Sequence, residues 1–142
     1  MSSCFEELQR IADRFSISEL YVFGSRADEV ASCVSGGAAE TEHPDADVDI
    51  GVHTILGKRL SVKEKVQLTI ELEDLFQVPR VDLVIISEAP LFLGLEVIKG
   101  KLLYCKDPDE QAEHELLIMR RAGDVAYYEN ERRQEILEGR QG

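Results

Sequence analysis

The chain has 142 residues, 44% of them hydrophobic and 31% charged, which suits one domain around a single core. Sixteen basic against 28 acidic side chains leave a net charge of −12, which repels nucleic-acid backbones and suits a basic protein partner better. No run approaches the ~20 apolar residues that a membrane helix requires, and the opening "MSSCFEELQRIADRF", with Glu6, Glu7 and Asp13, is not expected to be a secretory signal.

In chain order, Phe5, Leu8, Ile11, Ala12 and Phe15 recur at helical spacing and predict a first helix over residues 4–15. "ELYVFG" predicts a short strand closed by Gly24, and "SRADEVAS" a second helix with Ser25 as its N-cap. Residues 32–44, "SCVSGGAAETEHP", lack an apolar period and are expected to form a mobile surface loop. "ADVDIGV" is the next strand, and its period of two puts Asp47, Asp49 and Gly51 on one face and Val48, Ile50 and Val52 on the other.

A helix over "SVKEKVQLTIELEDLF" follows, with Ser61 and Glu64 as a capping box. "RVDLVII" is a third strand, apolar except at Asp82, and "APLFLGLEVIKG" a short helix between Pro90 and Gly100. "KLLYC" is a fourth strand, and from Asp109 onward the composition is helical, with a bend or division expected near Gly123. The elements make an α/β fold with a small mixed sheet and helices over one face, because the carboxylates need the other. Cys4, Cys33 and Cys105 offer no zinc spacing and are expected as reduced thiols, and cytoplasmic location is the expectation. His43, His53 and His114 are scattered in sequence and are expected at the surface.

The chemistry concentrates in two places. Asp47 and Asp49 stand two apart in one strand, and Asp82 opens the next. If those strands pair, about 4.7–4.9 Å apart, all three carboxylates converge. Converging anions repel, and a divalent cation removes the conflict, Mg²⁺ or Mn²⁺ for hard oxygen donors. Two ions roughly 3.5–4 Å apart would clamp an in-line displacement at phosphorus. Gly24 lets a ligand approach the backbone, Ser25 and the amides after it face an anion at a helix start, and Arg26 adds a cation. An anion cradle and a dication site on successive strands fit a nucleoside triphosphate with its metals.

Through "VFGSRA", "PDADVDIGV" and "VDLVII", in that order, the sequence resembles the minimal nucleotidyltransferase (MNT) family of the DNA polymerase β-like superfamily, and MntA-like antitoxins of HEPN/MNT toxin–antitoxin systems within it. The resemblance covers about residues 18–105. It implies the polymerase β-like nucleotidyltransferase fold, a small mixed β-sheet with helices mainly on one face and a helical C-terminal tail. One nucleotidyltransferase domain would span residues 1–142, with its core at about 18–105 and a helical extension at about 107–139. It implies that Gly24, Ser25 and Arg26 hold the triphosphate, that Asp47, Asp49 and Asp82 are metal ligands and catalytic carboxylates, and that ATP is the substrate with two Mg²⁺ ions. The implied partner is a HEPN-domain toxin, with AMP transferred to a hydroxyl, most plausibly a tyrosine, and pyrophosphate released.

Two features depart from the family pattern. The 21 residues from 26 to 46 exceed the usual spacing, a lengthening that costs little in loop closure. Asp28 and Glu29 stand where the family often has Arg and Gly, which predicts weaker triphosphate binding. Two other readings stay open: transfer to a small molecule such as a cationic aminoglycoside, and a binding module that neutralises a partner without chemistry. In "RRAGDVAYYENERR", Tyr127 and Tyr128 are expected to pack on the sheet, with a partner surface as the alternative.

Overall fold

The computed structural model describes residues 3–36 and 46–139, with side chains to residue 124. Its elements run α1 (Cys4–Arg14), β1 (Ile17–Phe23), α2 (Ala27–Val34), β2 (Val48–Thr54), α3 (Val62–Phe76), β3 (Val81–Ile85), α4 (Leu91–Ile98), β4 (Lys101–Cys105) and α5 (Pro108–Gly139), with a single 3₁₀ turn at Ile86–Glu88. The sheet order is β3-β2-β1-β4. β1 pairs antiparallel with β2 and β4, and β2 pairs parallel with β3, so the sheet is mixed as expected.

Local chemistry explains the helix starts. Ser3 caps α1 by accepting from the Glu6 amide at 3.1 Å. Ser61 and Glu64 close the capping box of α3, each backbone amide donating to the other's side chain at 3.1 Å. The expected Ser25 cap is not formed. α2 starts one residue later behind Arg26, and residues 32–34 of the expected loop are its last turn. The rest of that loop, from residue 37 with His43, lies outside the described residues, as do the side chains of Tyr127 and Tyr128. α5 is not divided near Gly123 but runs through it as one helix.

α1, α2 and α3 cover one sheet face. Leu8, Val30, Val34, Leu68 and Leu72 pack there against Leu20, Val22, Val48, Ile50 and Val52. Burying one such side chain contributes about 1.5–3 kcal/mol. The other face is not left bare. A smaller cluster of Tyr21, Ile86, Val97 and Ile118 seats α4 and α5 on it. Gly51 makes this possible: a side chain there would drive into Val97 of α4. α5 adds polar anchors one helical turn apart. The buried Tyr21 hydroxyl donates to Glu115 at 2.9 Å, and Gln111 donates to Tyr21 at 3.4 Å. Among the described residues no helix is long and apolar enough to cross a membrane, and all three cysteines are free.

Candidate active site

Alternation along β2 sends Val48, Ile50 and Val52 into the main core and leaves Asp49, Gly51 and His53 on the second face. The parallel pairing then sets Asp49 directly across from Asp82 of β3. In β3, Val81 packs into the main core and Asp82, one residue on, is exposed on the second face. Asp47 precedes the first residue of β2 and ion-pairs across to Arg80 at 3.8 Å.

Asp49 senses the other two carboxylates. Burial, then Asp82, then Asp47, push the Asp49 carboxyl above its ordinary range. Such crowding marks a place where a cation lowers the energy, and all-oxygen donors suit a hard divalent ion. By donor chemistry the three aspartates suit such an ion, although their oxygens do not gather within 4.8 Å of one another as the Glu19, His53 and His114 atoms do. Arg80, which sequence reasoning passed over, offsets part of the charge at the rim. Its signal was its place beside the third strand, two residues before Asp82.

Gly24 stands at the end of β1 with a φ of 79°, in the region that favours glycine. A Cβ there would collide with the Asp49 carboxylate, so this glycine brings the turn onto the acids. Its carbonyl accepts from the Ala27 amide at 3.3 Å, which leaves Ser25 exposed at the turn before α2. Ser25 thus opens the turn between Gly24 and α2 without capping the helix.

Arg26 is placed differently from a free phosphate-binding cation. It is 6% exposed. Its guanidinium donates to both Glu29 oxygens, at 2.9 and 3.0 Å, and to the Ala46 carbonyl at 3.0 Å. The Glu29 hydrogen bonds push its pKa up. Arg26 therefore ties the start of α2 to the residue before Asp47, closing the two ends of the long insert against each other. The acidic pair that departs from the family pattern is balanced as well: Glu29 by Arg26, and Asp28 by Lys101 at 3.8 Å.

Comparison with known proteins bears on the family and the fold. The family model described as "Polymerase beta, Nucleotidyltransferase" matches residues 6–109. No curated protein matches the sequence. Among solved structures, the fold is similar to a toxin–antitoxin with AMP-PNP, at 17% identity and a TM-score of 0.66, with 97% of this chain and 98% of that chain covered. It is also similar to a tri-AMPylated Shewanella oneidensis HEPN toxin in complex with MNT antitoxin, at 19% identity and a TM-score of 0.57, covering 98% and 97%. A third likeness is to the toxin–antitoxin MntA–HepT, at 16% identity and a TM-score of 0.56, covering 98% and 97%. At these identities the likenesses establish the fold.

Proposed function

The chain belongs to the polymerase β nucleotidyltransferase family, and on that premise we propose that it transfers AMP from ATP to a hydroxyl, most plausibly a tyrosine, of a HEPN-domain partner and so acts as an antitoxin. The observation that carries this reading is the in-register pair Asp49 and Asp82, with Asp47 beside them, beneath the Gly24 turn. Similar folds named as HEPN/MNT toxin–antitoxin components, one with an AMPylated toxin, support the choice of partner. The net charge of −12 favours approach to a basic one.

In this reading Asp47, Asp49 and Asp82 would hold Mg²⁺, which supplies charge neutralisation at the polyphosphate and favours the deprotonated acceptor oxygen. The chain's own part is placement. The Gly24–Ser25 turn faces the phosphates with backbone amides, and Arg26 fixes that turn relative to Asp47 through Ala46. The acceptor oxygen forms its bond to the α-phosphorus as the bond to pyrophosphate breaks in line, and the acceptor proton leaves to solvent or an adjacent carboxylate. The residues assigned to the triphosphate are Gly24, Ser25 and, by positioning, Arg26.

The test is incubation of the purified chain with α-labelled ATP, Mg²⁺ and a HEPN-domain partner, followed by mapping of the label. Label is expected on a tyrosine of the partner, and Asp47→Asn and Asp49→Asn should abolish it. Absence of transfer, or transfer that survives both replacements, rejects the reading. Neutralisation of the partner that survives Asp49→Asn would instead assign a binding module.

A further inference from the structure

Thirteen or so ångströms along β2 from Asp49, at four residues of roughly 3.3 Å rise, the same sheet face carries a second group of ligating side chains. Glu19 of β1 lies directly across from His53 of β2, and His114 of α5 reaches both. One ligating atom from each of the three lies within 4.8 Å of the others. Glu19 is 1% exposed, among the largest fully buried side chains of the molecule. His114 Nδ1 bonds to Glu19 Oε1, and the two imidazoles stack at a tilt, 4.6 Å between centroids. The expectation of surface histidines holds only in part, because His53 and His114 are both half-buried. β2 extends to Thr54, past the expected end, and α5 closes over it.

A buried Glu–His pair by itself is satisfied structure. The observation that goes further is His53 Nε2, which is buried and has no hydrogen-bond partner among the described residues. An orphaned buried polar atom is costly, so its retention asks for a ligand. His114 Nε2 faces Glu110 at 3.7 Å, the carboxylate partner that commonly orients a metal-bound histidine. Beside His53 and His114 opens a cavity of about 280 Å³ lined also by Ile86, Leu91, Ile118 and Arg121, with room for a fourth ligand.

We propose that Glu19, His53 and His114 form a second metal site, specific for a borderline transition-metal dication such as Zn²⁺, that cross-links β1 and β2 to α5 and keeps one coordination position open to the cavity. Two imidazoles and one carboxylate are a zinc donor set. Metal–ligand distances of about 2.0–2.2 Å put tetrahedral donors about 3.3–3.6 Å from one another, inside the 4.8 Å within which the three ligating atoms lie, so small side-chain adjustments complete the set. Nitrogen donors discriminate against Mg²⁺, which favours the aspartates at the other end of the sheet. The two sites thus sort ions by donor chemistry.

The experiment titrates the full chain, cysteines alkylated, with Co²⁺ as a visible probe for the Zn²⁺ position, in excess Mg²⁺. One Co²⁺ per chain is expected, with ligand-field bands that Zn²⁺ bleaches and that persist in Asp47→Asn, Asp49→Asn and Asp82→Asn. His53→Ala should weaken binding by at least roughly tenfold, and Zn²⁺ should raise the Tm of the wild type by several degrees but not of this variant. Circular dichroism checks that His53→Ala is folded, and His114→Gln serves as the second ligand deletion. Absence of a Co²⁺ spectrum, bands unchanged in folded His53→Ala, or bands lost on replacing the aspartates would each overturn the proposal. Because transfer of AMP is not the readout, failure here leaves the proposed function untouched.

Discussion

Two ends of one sheet face have become different places. At one end Asp49 is half-buried and Asp82 exposed, Asp47 and Asp82 act on the Asp49 carboxyl, and the Gly24 turn comes down onto it. At the other, Glu19 is sealed in, two histidines attend it, and α5 lies across the top. The strand supplying both is β2, which contributes Asp49 and His53 by the same alternation. Between them Val97 of α4 sits on Gly51. What differs is the cover. Polar groups on an open sheet end stay wet and charged, whereas those under a helix must find partners or pay desolvation. Position along a strand supplies the residues; the layer above decides their chemistry.

The contrast breaks most sharply in activity. Asp49→Asn or Asp82→Asn is expected to lower nucleotidyl transfer by roughly 10²–10³-fold or more, the scale for removing a key electrostatic group. His53→Ala should leave the rate within a few-fold, measured with labelled ATP under saturating Mg²⁺. Equal losses would mean that the two ends act together. The divider comes next. Gly51→Val forces a side chain into Val97 and should destabilise the fold by about 1–3 kcal/mol, read as a lower denaturation midpoint.

A smaller effect tests the covered end alone. Tyr21→Phe removes the hydroxyl that bonds Glu115 and Gln111, and should cost about 1 kcal/mol in denaturant unfolding without altering transfer by the open end. The smallest effect has the opposite sign. The raised Asp49 pKa means that ionisation weakens the fold: the penalty is absent below the unfolded carboxylate pKa and complete once pH exceeds the raised folded value. With chelator present at neutral pH, Asp49→Asn should therefore stabilise the chain slightly, the gain being cut by solvent screening. Calorimetry that finds Asn destabilising would show that the acids do not repel.

How much of this was legible depended on whether the signal was local. Ser61 and Glu64 announce α3 because both partners of the capping box lie within one turn. The alternation at residues 47–52 announced the face of Asp49 for the same reason. Ser25 failed as a cap because the positive φ of Gly24 delays the helix and Arg26 becomes the N-cap, a result set by Glu29 and by Ala46, twenty residues away. The second-face cover was hidden similarly. Nothing near Gly51 names Val97 as its neighbour, and nothing near Glu19 names His114, ninety-five positions on. Extending the period of two by one step to His53 was the one available hint.

The β2–β3 ladder carries a last consequence. Among the described residues β3 is an edge strand held by a single neighbour, and a slip of one position would turn Asp82 inward and present Val81 or Leu83 on the face of Asp49. The apolar residues that seat β3 in the core thereby proofread the acids. A chain that has misaligned this strand is penalised by dehydration of a carboxylate long before any nucleotide arrives, so assembly errors and inactive enzyme are removed by the same force.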